Sequence, residues 1–345
     1  MRRFFIKLAV GVAKLMVGIA GLVILVKLGS IDLAVLMKAA ERPGLLVIAF
    51  SCLLATVPIA AIRWWVLLRG LKFSFTLRWT LNTTFLSLFF HTFLPGAYGG
   101  DLVRLAMAYR AAGSRLNHLT FSVVIDRLTG MAALLILGVV MLPALPAAYA
   151  TRFEWIAAIV VAAGITALVL ALSSGGLLAR LVERLPAPVG PTLGHIVRDM
   201  VDAIRAYLAQ PKLLCSAIAI SLVQYGLVLG ALIILGHAMR FEGLSWSGYV
   251  IAGIWSLIAN ALPITPGGIG VGEAAFAHAA LILAAASSSD GAGFGTVFLA
   301  MRVLVIGISI AGLLPWVLHR IDLRKGMAAM KTANASDRRV VPPAE

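Results

Sequence analysis

LPGAYGGD, residues 94–101, sets one proline, three glycines and an aspartate inside a long apolar run. The frame L-P-x-x-x-G-G returns in LPITPGGIGVGE, residues 262–273, which again delivers a carboxylate, Glu273. Proline removes a backbone donor and ends a helix, and paired glycines let the chain reverse. Two such breaks in apolar surroundings decide the fold. Irregular backbone at membrane depth is tolerated only where protein or a watery cavity satisfies it. The bland alternative, a glycine-rich packing corner, suits either motif alone; two copies, each followed by an acid, favour a site.

The surroundings are membrane-like. The chain of 345 residues is 61% hydrophobic and 12% charged, and several apolar runs approach or exceed the ~20 residues that cross a bilayer as helix. Hydropathy and breakers predict helical runs near 8–28, 44–68, 79–94, 118–142, 153–172, 212–237, 246–262, 273–287 and 295–318. No stretch alternates with period two, so strands are not expected. The basic, apolar start reads as an uncleaved first span because its body is too long for a secretory signal. Lys14 within it reads as a snorkelling or packed side chain. Cys52 and Cys215 form no disulfide or metal pattern.

The formal charge of +15 is explained by topology. Basic residues are scattered through short loops and a tail, and no soluble nucleic-acid module appears. If residues 79–94 enter from the cytoplasm, break at Pro95–Gly100 and return through 101–110 as a re-entrant hairpin, the positive-inside rule is met. The inside segments then hold Arg2, Arg3, Lys7, Arg69, Lys72, Arg78, Arg110, Arg115 and the basic residues of 180–212 and 320–339. Only Lys38, Arg42, Arg152 and Arg240 lie outside, with Lys27 at a boundary. The expectation is an all-α polytopic membrane protein with cytoplasmic termini. It contains two inverted repeats, about 8–142 and 153–318, each of three spans plus a re-entrant broken-helix hairpin. An amphipathic cytoplasmic linker (186–211) joins them, the membrane domain covers 1–320, and a disordered basic tail follows at 321–345.

Ionisable groups inside a bilayer cost roughly 2.5–3.5 kcal/mol each, so they face a cavity or a partner. Asp101 and Arg104, at i and i+3, are placed to pair on one helix face. Arg127, preceded by Asp126, and Arg302 each sit about eight residues into the span after a hairpin. Their planar guanidinium forks suit a phosphate or carboxylate headgroup. The competing reading is that they neutralise Asp101 and Glu273 as structural ion pairs; the two roles are compatible if substrate competes for the pairs. Free N–H groups at the hairpin tips, around Gly99, Gly100, Gly267 and Gly268, suit the same anion. Arg63, flanked by Trp64 and Trp65, reads most simply as an interfacial snorkelling residue, with headgroup contact as its functional alternative. His91 and His278 read as packed histidines, and Asn82, Gln224 and Asn260 as interhelical hydrogen-bonders.

Together FLPGAYGGDLVRLAMAYR, SVVIDRLTG and LPITPGGIGVGEAAF resemble the lysylphosphatidylglycerol synthase transmembrane family, also called flippase-like membrane proteins; the likeness runs over most of 1–320 and includes Arg63-Trp64. The resemblance implies a bacterial inner-membrane protein that moves a lipid between leaflets. In bifunctional members an aminoacyl-transferase domain follows; here a 25-residue tail follows, so synthesis of aminoacylated lipid is not expected. The functional expectation is a lipid flippase or lipid-binding transporter for a polar or anionic headgroup. Asp101 and Glu273 gate or couple its cycle. Its partners are membrane lipids, with anionic inner-leaflet lipid for the tail; a homo-oligomer is compatible with it. Neither cofactor nor metal is expected, and nucleic acid is not. A proton-coupled transporter of a small polar solute competes, as does, more weakly, an intramembrane transferase or hydrolase using His91 or the carboxylates, for which no triad, metal spacing or nucleotide loop is present.

Overall fold

A computed structural model describes residues 37–93, 99–113, 116–144, 209–241, 243–261, 268–284 and 293–312, with Val23, Lys27, Tyr207 and Thr265 as isolated positions. The expected first span, the span at 153–172, most of the linker at 186–211, the tail, the elbows at 94–98 and 262–264, and Gly267 lie outside the described residues.

Among the described residues every regular element is a helix. In chain order they are α1 (Pro43–Gly70), α2 (Leu77–Phe93), α3 (Gly99–Ala112), α4 (Leu116–Met141), α5 (Pro211–Ala238), α6 (Trp246–Ala261), α7 (Val271–Ala284) and α8 (Gly295–Ala311). α1, α5 and the stretch His118–Ala144 are long and apolar enough to cross a membrane, and the chain is a multi-pass membrane protein. Its outer faces carry Val47, Ile48, Val139, Val140, Val223 and Ile310, apolar side chains left exposed where lipid would solvate them. α2, α3, α6 and α7 have 17, 14, 16 and 14 residues. At 1.5 Å per residue each is about 21–25 Å long, shorter than the ~30 Å hydrocarbon core.

α1 and α5 are built alike. Each has 28 residues and opens on a proline, which lacks only a donor that the first helical turn leaves unused. Both end in a Schellman motif. The Lys72 and Phe73 N–H groups donate to the Arg69 and Leu68 carbonyls, and those of Arg240 and Phe241 donate to the His237 and Gly236 carbonyls. The residue after each C-cap, Lys72 or Arg240, has φ 62°. The two helices make the most extensive contact in the molecule, and they run antiparallel. Arg42, at the α1 N-cap, donates through Nη1 to the His237 carbonyl in the last turn of α5 (3.0 Å); Gln210, at the α5 N-cap, donates through Nε2 to the Gly70 carbonyl at the end of α1 (3.2 Å).

The remaining helices arrange themselves around this pair. α2 packs on α3 and α6 on α7; α2 also touches α8, and α6 touches α4. Each short-helix pair therefore leans on the last helix of the other series. One core gathers Leu53, Leu232, Leu235, Tyr249, Phe276 and Phe298. A second gathers Trp64, Leu67, Leu68, Leu71 and Leu119 around Tyr207, whose Oη donates to the Leu67 carbonyl (3.1 Å).

Candidate functional site

Each returning helix places an acid three positions past its N-cap, where a carboxylate faces the unpaired N–H groups and the positive end of the helix dipole. In α7 this contact is complete. Glu273 Oε2 accepts the Gly270 N–H (2.9 Å), the capping-box geometry of a glutamate reaching back to its own N-cap. Arg302, from α8, donates through Nε to Glu273 Oε1 (2.5 Å) and through Nη2 to Asn260 Oδ1 and the Gly268 carbonyl (both 3.1 Å). One guanidinium thus ties α8 to the end of α6, to the turn and to the start of α7. Gly268 has φ +68°, and a Cβ there would strike the Asn260 side chain, so only glycine fits the turn. Glu273 is fully buried.

The first series repeats this pairing more openly. Arg127, from α4, donates through Nε (2.6 Å) and Nη2 (2.5 Å) to Asp101 Oδ2 in the first turn of α3. The Arg127 side chain is 37% exposed and that of Asp101 17%. Gly99 and Gly100 are buried at the start of α3, where a Cβ on Gly100 would stand 2.5 Å from the Ser87 carbonyl oxygen of α2. His91, on α2, lies within electrostatic reach of Asp101, Arg104, Arg127 and Arg302. His278 is exposed on α7.

A third cluster has no twin among the described residues. Arg63, 7% exposed, donates through Nε to Asp126 Oδ1 (2.7 Å), through Nη2 to Oδ2 (3.1 Å) and through Nη1 to Ser221 Oγ (2.9 Å). Arg104 donates through Nη1 to Asp126 Oδ2 (3.1 Å), and its guanidinium lies 5.1 Å over the buried Trp64 ring. Arginines from α1 and α3 thereby meet on one carboxylate of α4, which is 3% exposed, and Ser221 of α5 joins through Arg63.

Several expectations change here. Arg63 does not snorkel, because Asp126 supplies an anion inside the bundle; its functional alternative is left standing. Trp64 is buried beside Ser122 (Nε1 to Oγ 3.3 Å) and does not belong to an interfacial belt. Arg104 does not bond the Asp101 one turn before it. Asp126 and Arg127 are adjacent and so point about 100° apart on α4, and this divergence sends Asp126 to Arg63 and Arg104 and leaves Arg127 for Asp101. The N-terminus of α7 is occupied by the chain's own glutamate instead of standing open to an external anion. Asn260 does bond between helices, to Arg302 of α8. Ser221 and the neighbouring Tyr225 were not singled out in the sequence, although a hydroxyl residue on a fully apolar span is a signal that it faces a polar partner.

Among the described residues no group of three or more His, Cys, Asp or Glu is placed to hold a metal ion. Neither a curated protein nor a solved structure matches the chain. The model of the lysylphosphatidylglycerol synthase TM region matches residues 4–312. With nearly the whole membrane part matched, and with paired acids and arginines in the motifs that suggested it, the chain belongs to the lysylphosphatidylglycerol synthase transmembrane-region family.

Proposed function

We propose that the protein is a transporter that binds a membrane lipid by its polar or anionic headgroup and moves it between leaflets, without being an enzyme. The observation that carries this reading is the pair of twin contacts, Asp101 with Arg127 and Glu273 with Arg302, each at the start of a returning helix. Charge kept at such depth is costly and marks a substrate path more often than a scaffold. α2–α3 and α6–α7 are then re-entrant hairpins entering from opposite faces, and the two series are inverted repeats; the antiparallel packing of α1 on α5 and the short lengths of the four hairpin helices support this. The headgroup exchanges with Asp101 for the more exposed Arg127 while the acyl chains stay in lipid, and the two series rock about the shared site. We place the protein in a bacterial inner membrane with both termini cytoplasmic; under the hairpin topology the excess of arginine and lysine on one side supports that orientation.

The test is reconstitution into vesicles with fluorescent lipid analogues and an external quencher. Wild type should expose inner-leaflet analogue to the quencher. Arg127→Ala should slow this at least about tenfold, as loss of a charge-assisted contact predicts, with nearly unchanged expression and thermal midpoint. No movement of phospholipid, aminoacyl lipid or polyprenyl lipid by the wild type would remove the proposal.

A further inference from the structure

The three charged clusters do not balance alike. Asp101 with Arg127, and Glu273 with Arg302, are one-to-one pairs. In the third, among the described residues, Arg63 and Arg104 share the single carboxylate of Asp126, and Ser221, Tyr225 and Trp64 beside them are neutral. Asp126 already accepts three guanidinium N–H bonds. Arg104 Nε, though buried, has no hydrogen-bond partner. A surplus cation and an idle donor on one guanidinium, in a medium that penalises unpaired charge, call for a counterion.

Depth points to the source. Arg63 lies seven residues before Gly70, the last residue of α1, hence roughly 10 Å along the axis from that end. Aromatic rings crowd the same end: Trp65 Nε1 donates to the Phe75 carbonyl (2.9 Å), and Phe75 stacks on Trp79 with centroids 4.3 Å apart. Such rings gather at headgroup level. The cluster therefore sits just beneath that level, and the Arg104 side chain keeps 11% of its surface open.

We infer that Arg104, held by Asp126, is the docking point for one monoanionic phosphate oxyanion, the phosphodiester of a lipid whose headgroup carries no cation, in the leaflet at the C-terminal end of α1. The inference rests on the transport reading for its lipid source and adds the headgroup class. The oxyanion accepts from Arg104 Nε and lies over the face of the cluster away from Asp126; Trp64 fixes the guanidinium plane. Arg104 is thus a second anion contact, beside the Arg127 with which the headgroup exchanges.

The experiment titrates the purified full chain with short-chain phosphatidylglycerol, with phosphatidylcholine of the same chain length and with inorganic phosphate, reading the thermal midpoint and the bound species by native mass spectrometry. Both lipids carry a monoanionic phosphodiester, but phosphatidylcholine brings a quaternary ammonium that neutralises it and would lie against Arg63 and Arg104; phosphatidylglycerol should therefore raise the midpoint where phosphatidylcholine does not, and Arg104→Gln should weaken its binding at least about tenfold. An equal, Arg104-dependent response to inorganic phosphate would support the oxyanion site with a free ion as its source. Wild-type binding by a folded Arg104→Gln protein, or equal wild-type responses to both lipids, would overturn the inference. Should Arg104→Gln not fold, the wild-type comparison of the two lipids decides alone. Anionic lipid that binds here but is never moved in vesicles defeats the transport reading and leaves this site standing; movement with no preference for the anionic lipid, and no binding, defeats the site and leaves transport.

Discussion

The two series of helices share an ion pair at the start of the returning helix, yet only the first buries a second set of charges. Arg104 stands three residues after Asp101; three after Glu273 is Phe276. Asp126 precedes Arg127; Met301 precedes Arg302. Arg63 of α1 corresponds to Ala231 of α5, each the twenty-first residue of a 28-residue helix. Phe276, Met301 and Ala231 are all buried in the apolar core. The architecture is therefore satisfied by hydrocarbon at these positions, and the charge in the first series is not needed to close the bundle. That difference separates what the fold requires from what the site adds.

The sharpest way to break this comparison is to remove one charge or all of them. Asp126→Leu leaves two buried guanidinium groups without their carboxylate and should cost about 3–5 kcal/mol, seen as loss of the monodisperse peak in detergent and a collapsed thermal midpoint. The triple variant Arg63→Ala, Arg104→Phe, Asp126→Met copies the second series into the first. Replacing a buried ion cluster by apolar side chains is commonly neutral or stabilising, so it should recover most of that loss while giving up the anionic-lipid response. A triple variant as unstable as Asp126→Leu would show that the charges are structural.

The twin pairs differ in degree, and a smaller contrast follows. Glu273 is fully buried and also holds the Gly270 N–H, whereas Asp101 pairs with an arginine that is more than a third exposed. Glu273→Ala should lower stability by about 3 kcal/mol or more. Asp101→Ala should lower it by about 1 kcal/mol or less, because solvent screens the pair. Unfolding of both variants under the same conditions measures the ratio; equal losses would mean that Asp101 is sealed in the membrane-embedded protein. The same contrast matches the proposed roles: the second pair also holds its turn, and the first is the looser of the two, as the proposed headgroup exchange needs.

The sequence carried the helices well and the partners less well. Hydropathy placed runs at 212–237 and 246–262 where the helices are Pro211–Ala238 and Trp246–Ala261, because length, proline and glycine act locally. Asp101 with Arg127 and Glu273 with Arg302 were legible because each pattern occurs twice. Arg63 was not, because its twin is an alanine and its carboxylate lies sixty-three positions away. The pairing expected of Asp101 with Arg104 fails for the related reason that spacing along one helix reports which groups share a face, not what lies across from it. A carboxylate next to an arginine, as in Asp126-Arg127, was the available clue: two charges about 100° apart cannot serve one partner.

The smallest effect tests the antiparallel frame itself. Arg42 caps the end of α5 and Gln210 caps the end of α1, and each bond links an N-cap side chain to the carbonyls of the opposite helix. Such a bond contributes about 0.5–1.5 kcal/mol net, less for the exposed Arg42, whose alternative partner is water. Arg42→Ala and Gln210→Ala should each lower the thermal midpoint slightly, with Gln210→Ala the larger. The two sites lie at opposite ends of 28-residue helices, about 42 Å apart, so their effects should add within about 0.5 kcal/mol in the double variant. Coupling well beyond that would place both caps at one end of the bundle, and a parallel α1–α5 pair would defeat the proposed inverted repeats.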